Sequence, residues 1–339
     1  MKRVLRASAV AVAAVIAMAG CASGADTAPA GSASGSSAFK KKDPLKVGYS
    51  VYDLQSPYFQ AYAAGVKAEA AKSQVEVVVA DQKSSQQAQV SGSADLINQN
   101  ISALIVSPVQ PPALPATITA AHKANIPVIV GDVGAEGPYD AFILSDNSHG
   151  GELAAKYLTD AFKGKTGPHN IGVIGLHSGS AVGDLRVGGF TDAIKGQPDF
   201  KVVATLDGND TVQGGFKAAQ DMLSANPDLV GIYAANDPEA QGAARALKAA
   251  GKDPSKDFVL VGFNGDPPAL DLIQNGEQTA TIAQDPYGQG QLAFTTVMAL
   301  LDGKDPKFTD APKKTILFPV EVVDSKNLAE FRTSRAGQK

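Results

Sequence analysis

The chain has 339 residues, enough for two ordinary domains with sizeable cores. Its 30 basic and 34 acidic residues give a net charge of −4, which offers no support for a nucleic-acid surface. A single cysteine, Cys21, excludes an intramolecular disulfide and a cysteine-based metal site.

The first twenty residues read as a targeting segment. Lys2, Arg3 and Arg6 form a basic start, and an apolar stretch from Ala7 to Ala19 follows. That stretch is short for a membrane span and ends in small residues. Met18-Ala19-Gly20-Cys21 resembles a bacterial lipobox, so residues 1–20 are expected to be a lipoprotein signal and Cys21 the lipidated anchor. A plain secretory signal with an incidental cysteine is the alternative. Residues 21–43 are rich in Ala, Ser and Gly without apolar periodicity and are expected to form a flexible tether. Lys40-Lys41-Lys42 close it as a solvated charge run.

From Leu45 onward, strand and helix patterns alternate. Predicted strands are Leu45–Ser50, Val75–Ala80, Ala103–Val106, Ile126–Val130 and Phe142–Leu144, separated by helices from Pro57 to about Lys72, through Val90 to Ile97, and up to about Ala124. A helix over Gly150–Phe162 opens the second half. Strands at Ile171–Ile174, Val202–Thr205, Leu229–Tyr233, Val259–Phe263 and Gln278–Ile282 then alternate with helices at Leu185–Ile194, Phe216–Ala225, Pro238–Ala250 and Ala269–Gln274. A long helix from about Tyr287 to Leu301 precedes a last strand pair between Thr315 and Val323. Strict alternation implies parallel sheets covered by helices on both faces, and ten or so units exceed one core. The expected fold is α/β, with two doubly wound, Rossmann-like lobes.

No catalytic constellation is present. There is no G-x-G-x-x-G after a strand and no phosphate-binding G-x-x-x-x-G-K-[ST]. Gly175-Leu176-His177-Ser178-Gly179 misplaces its serine for a nucleophile elbow. His122, His149, His169 and His177 lack metal-ligand spacing. Polar residues recur instead just after apolar strands: Ser56-Pro57-Tyr58-Phe59, Asp132, Ser145-Asp146-Asn147, Asn236-Asp237, Asn264 and Gln284-Asp285. Helix capping accounts for any one of them. As a set they converge on the crevice at the carboxyl ends of the strands, where open α/β sheets bind ligands. Amides and carboxylates there, with Tyr58 and Phe59 as flat apolar walls, suit a neutral polyhydroxyl ligand.

Seven stretches carry a resemblance to a known family. They are Ser56-Pro57-Tyr58-Phe59, Asn125 to Ile129, Ser145-Asp146-Asn147, Ala235-Asn236-Asp237, Gly242 to Leu247, Val261 to Gly265 and Ala280 to Gln284. In this order they resemble the bacterial ABC-transporter substrate-binding proteins similar to ribose-binding protein, over about Leu45–Val323. The resemblance implies a type I periplasmic-binding-protein fold, two lobes joined by a three-crossing hinge and closing over a sugar. It places the crossings at Ser145, Gln284 and about Leu317. The implied lobes are residues 44–144 with 285–317, and 145–284 with 318–331, leaving 332–339 as a disordered tail. First-lobe ligand contacts fall on Ser56, Tyr58, Phe59 and Asp132, and second-lobe contacts on Asn236, Asn264 and Gln284.

Some positions depart from the pattern. Val133 stands where an arginine is usual, and Asp184 occupies the place assigned to the family's ligand-binding arginine, with Arg186 assigned a structural role. An aromatic wall near Asn209-Asp210 is missing, and the usual aspartate is Asn264. With both guanidinium forks removed, ribose and anionic solutes are disfavoured, leaving a neutral sugar, polyol or cyclitol. The expectation is an exported, membrane-anchored, monomeric receptor with no cofactor, delivering such a solute to the permease of an ABC importer. The alternatives are a sensory or chemotaxis receptor for a similar ligand and, more remotely, an exported α/β enzyme.

Overall fold

The computed structural model describes residues 39–338. The expected signal peptide, Cys21 and most of the tether lie outside the described residues. The tether's expected end does not hold. Phe39 packs 5.8 Å from the His122 ring, and the Lys40 and Lys42 amides donate to Asn125 and Ser102. Lys41 pairs with Asp302 rather than standing free in solvent. The described chain therefore already packs on the first lobe before the first strand.

The first lobe is built on one six-stranded sheet. Its strands are β1 (Lys46–Val51), β2 (Glu76–Asp81), β3 (Ala103–Val106), β4 (Val128–Gly131) and β5 (Ala141–Ser145), with α1 (Pro57–Lys72), α2 (Gln86–Asn98) and α3 (Leu114–Lys123) between them. Every residue of β3 and β4 is buried, as an apolar run in a sheet covered on both faces requires. The second lobe begins with α4 (Asn147–Asp160), β6 (His169–Gly175), α5 (Ala181–Lys195), β7 (Phe200–Asp207) and α6 (Val212–Ala225). It continues through β8 (Leu229–Ala234), α7 (Asp237–Ala249), β9 (Val259–Asn264), α8 (Pro267–Gln274) and β10 (Ala280–Ala283). The chain then returns to the first lobe with α9 (Pro286–Leu301) and β11 (Thr315–Phe318), and ends in the second with β12 (Glu321–Asp324) and α10 (Leu328–Arg335).

Sheet order is β11-β5-β4-β3-β1-β2 in one lobe and β12-β10-β9-β8-β6-β7 in the other. All pairings are parallel except β10 with β12. The last two strands are thus not a hairpin. β11 pairs with β5 and β12 with β10, so the chain changes sheets between them, after Phe318. Leu317 itself lies within β11, opposite Leu144.

Helix α9 belongs to the first lobe because it fits α1 closely. A Cβ on Gly65 would lie 2.0 Å from the Tyr287 carbonyl oxygen, and one on Gly290 would lie 2.1 Å from that of Tyr62. Only glycine at both positions allows such an approach.

Several helices begin earlier than apolar spacing predicts. The first turns of α4, α5 and α6 are rich in Gly and small residues and carry little periodicity. Capping starts them instead, through Asp146, Ser180 and Thr211 accepting from the amides of His149, Gly183 and Gly214. The expected disordered tail is also corrected. Helix α10 runs to Arg335, buries Leu328 and Phe331, and leans on α8 and β12.

Candidate functional site

The carboxyl ends of both sheets converge on a cluster of polar and aromatic side chains. On the first-lobe side, Ser56 precedes α1 without capping it, and Pro57 starts the helix. Tyr58 and Phe59 follow. The Phe59 ring stacks on Tyr52 at 5.0 Å and meets Tyr58 edge-on at 5.1 Å. The Tyr58 hydroxyl donates to Asp132 Oδ1 at 2.8 Å, and Gln289 Oε1 lies 3.2 Å from it. Asp132 follows β4 directly, with φ +72°. Desolvation pushes its carboxyl above the usual range, opposed by the Tyr58 hydrogen bond and by the charge of Arg186 in the other lobe.

On the second-lobe side the centre is Arg186, which is buried. It donates from Nε to Asn147 Oδ1 at 2.8 Å and from Nη1 to the Ala235 carbonyl at 2.9 Å. Nη1 also reaches Asn264 Oδ1 at 3.3 Å, and Nη2 reaches Gln284 Oε1 at 3.4 Å. Desolvation lowers the guanidinium's pKa, and the nearby Tyr233 and Asp132 oppose that fall.

This overturns one expectation. Asp184 is exposed on α5, and Arg186 takes the inward place. The physical signal was in the sequence. Arg186 and the buried Phe190 are four apart and share a helix face, whereas Asp184, two positions earlier, points away from it. Close packing of α5 on α4 fixes that face, because a Cβ on Gly189 would lie 2.0 Å from the Ser148 carbonyl. The cleft therefore keeps one guanidinium. The second fork is absent, and Val133 packs against the first-lobe core. Where the aromatic wall is missing, Asp210 pairs with His177.

Asn264 ends β9 at φ +131°, a conformation costly for any residue but glycine. Its amide is held at both ends: Nδ2 donates to Asp266 Oδ2 at 3.2 Å, and Oδ1 accepts from Gln284 Nε2 at 3.1 Å. Asn236 is buried and caps α7, accepting from the Glu239 amide at 2.8 Å. Gln284 Oε1 accepts from the Ser145 hydroxyl at 2.7 Å, joining two of the crossings.

The structure thus joins Tyr58 with Asp132, and Asn264 with Gln284, while Phe59 lies against Tyr58. Sequence reasoning missed Gln289 and Tyr52, named Asn147 only within the Ser145-Asp146-Asn147 set, and gave Arg186 a structural role instead of a place in the cleft. Beneath the site, Asp237 is fully buried and accepts from the Gly265 and Asp266 amides, both at 2.8 Å, and from Thr281 at 2.8 Å. Desolvation, then the neighbouring Asp266, pushes its carboxyl up to about 8. Desolvation likewise lifts Glu239 to about 8. Among the described residues no cluster could hold a metal ion, and no helix is long and apolar enough to cross a membrane.

Two doubly wound lobes, three sheet-to-sheet crossings and a polar-aromatic cluster between the strand ends define a two-lobed solute-binding protein. The periplasmic binding protein domain matches residues 47–305, and the chain belongs to that family, one of solute-binding proteins rather than enzymes. It is 31% identical over 275 residues to the ribose import binding protein of Bacillus subtilis, covering 80% of this chain and 87% of that one. The crystal structure of a periplasmic ribose ABC transporter protein from Conexibacter woesei superposes with a TM-score of 0.77 at 25% identity, covering 88% and 97% of the two chains. An arabinose-transporter binding protein from Shewanella, bound to L-arabinofuranose, superposes with a TM-score of 0.74 at 27% identity, covering 87% and 96%.

Proposed function

We propose that the cleft binds a small neutral sugar or polyol and that the protein presents it to the permease of an ABC importer. The observation that carries this reading is the opposition of Tyr58 and Asp132 in one lobe to Arg186 and Asn264 in the other. Arg186 is the cluster's one guanidinium, and its charge is felt by the Asp132 and Asp266 carboxyls, so the site holds its own counter-charges without an anionic solute, and the remaining groups suit hydroxyls. The aromatic surfaces of Tyr58 and Phe59 suit the C–H face of a sugar. Relatives named for ribose and arabinofuranose support the same class.

In this reading Ser56, Tyr58, Phe59, Asp132, Asn236, Asn264 and Gln284 contact the solute, and Arg186 takes the role first assigned to Asp184. The crossings at Ser145, at Gln284 and after Leu317 form the hinge, and a solute touching both lobes favours the closed state. The receptor acts as a monomer, held to the outer face of the membrane through lipid on Cys21. Thermal stabilisation by D-ribose, D-allose, L-arabinose, myo-inositol and glycerol tests the ligand class. A melting shift with at least one supports it, and no shift across a wide panel of neutral sugars and polyols overturns it.

A further inference from the structure

Behind the cleft, six side-chain hydrogen bonds form one continuous chain. It starts at Asp132 and Tyr58 in the first lobe. It passes from Tyr58 to Gln289 Oε1 at 3.2 Å, and Gln289 Nε2 donates to Ser145 Oγ at 3.0 Å. Ser145 donates to Gln284 Oε1 at 2.7 Å, Gln284 Nε2 to Asn264 Oδ1 at 3.1 Å, and Asn264 Nδ2 to Asp266 Oδ2 at 3.2 Å. Gln289 and Ser145 are fully buried, so neither can turn to solvent for a substitute partner.

The chain has one polarity. Each amide accepts at its oxygen and donates from its nitrogen, and Ser145 does both through one hydroxyl. Only the Tyr58 end is contested. Its single proton has two acceptors in reach, Asp132 at 2.8 Å and Gln289 at 3.2 Å. A solute hydroxyl that donates to Asp132 Oδ1 competes with Tyr58 for that oxygen, shifts the Tyr58 proton toward Gln289 and so strengthens the chain into the second lobe.

We infer that Gln289 is a positioning residue, joining Tyr58 to Ser145 so that satisfying Asp132 on one wall reinforces the held amide of Asn264 on the other. This rests on the proposed reading of the cleft as a solute site. Gln289 touches no solute in it and acts through Tyr58.

The test is a double-mutant cycle on the full chain with Gln289→Met, Tyr58→Phe and Ser145→Ala, singly and in pairs. The probe is whichever of D-ribose, D-allose, L-arabinose or glycerol stabilises the parent most, titrated by calorimetry. Gln289→Met is expected to weaken its binding about ten-fold, the worth of one buried hydrogen bond. In the Tyr58→Phe background the same change is expected to cost less than about two-fold. Equal losses in both backgrounds overturn the proposal. A second arm needs no solute: the melting temperature of Gln289→Met with Ser145→Ala should fall by less than the two single shifts added. Additive shifts overturn the proposal as well. If none of the four probes binds the parent, the melting arm alone decides the hydrogen-bond chain, and the wide panel of sugars and polyols decides the proposed function separately. Should Gln289→Met not fold, Gln289→Glu keeps the shape and the acceptor but loses the donor to Ser145, and is read the same way.

Discussion

The Arg186 guanidinium lies over the Phe263 ring, 3.8 Å from its centroid. Phe263 is the residue before Asn264 on β9, so the stacked plane aims the guanidinium edge at the Asn264 and Gln284 oxygens. A compact ammonium cannot stack and reach Asn147, Ala235 and Asn264 together. Arg186→Lys is expected to lower stability by about 2 to 4 kcal/mol and to weaken solute binding at least about 100-fold. Asp184→Ala, on the exposed side of the same helix, is expected to change stability by less than about 0.5 kcal/mol and to leave binding intact. Denaturant unfolding and calorimetry on both variants check the contrast.

Asn264 joins backbone strain to a fully engaged amide. Asn264→Gly relaxes the φ of +131° and is expected to be no less stable than the parent, while losing solute affinity. Asn264→Ala keeps the strain and loses the amide, so both stability and affinity fall. Asn264→Asp keeps an acceptor for Gln284 but sets a carboxylate against Asp266, and is expected to change the preference among sugars. Melting curves and a titration panel separate the three.

Much of this was legible in the chain. The buried strands Ala103–Val106 and Val128–Gly131 announce themselves as short apolar runs, and Asn264 is marked by the abrupt polar end of its strand. Arg186 was less visible because aligning motifs fixes neighbours in sequence, whereas a helix sorts residues by face. Gln289 was invisible for another reason. It lies in a long helix and finds Tyr58, 231 residues away, and Ser145, 144 residues away, only through tertiary packing. The closing helix α10 was missed because few of its residues are apolar; Leu328 and Phe331 are its buried anchors.

The buried acids predict the pH dependence of stability. The Asp237 and Glu239 carboxyls are pushed up to about 8 in the folded state, against an ordinary value of about 4 in the unfolded chain. Between these values the folded protein holds more protons than the unfolded one, so stability falls as pH rises. It is complete below about pH 4 and is lost as pH passes through about 8. Near the surface, Asp53, Asp160, Asp253 and Asp302 are shifted downward and act with the opposite sign, below that window. Glu239→Gln keeps the acceptor for the Asp210 amide, at 3.0 Å in the parent, and removes one titrating group. Urea unfolding from pH 5 to 8 should show a slope for the parent and a shallower one for Glu239→Gln.

At the far end of the chain, Arg335 pairs with Asp285, just before α9, and with Glu321, which opens β12, at 3.4 Å. One side chain thereby ties the second crossing to the third. The side chains of Arg335 and Asp285 are each 22% exposed, so the contribution to stability is modest, about 1 kcal/mol. The larger expectation concerns shape. Arg335→Ala should let the solute-free lobes sample wider separations, read as a larger radius of gyration by solution scattering. An unchanged radius with and without solute would remove Arg335 from the hinge.

A crystal structure with the sugar or polyol that stabilises the protein most is the most direct measurement. The account predicts the solute between the lobes, its C–H face on Tyr58 or Phe59 and its hydroxyls within hydrogen-bond distance of Asp132, Arg186 and Asn264. A solute seated elsewhere, or one in the cleft touching only one lobe, would contradict it.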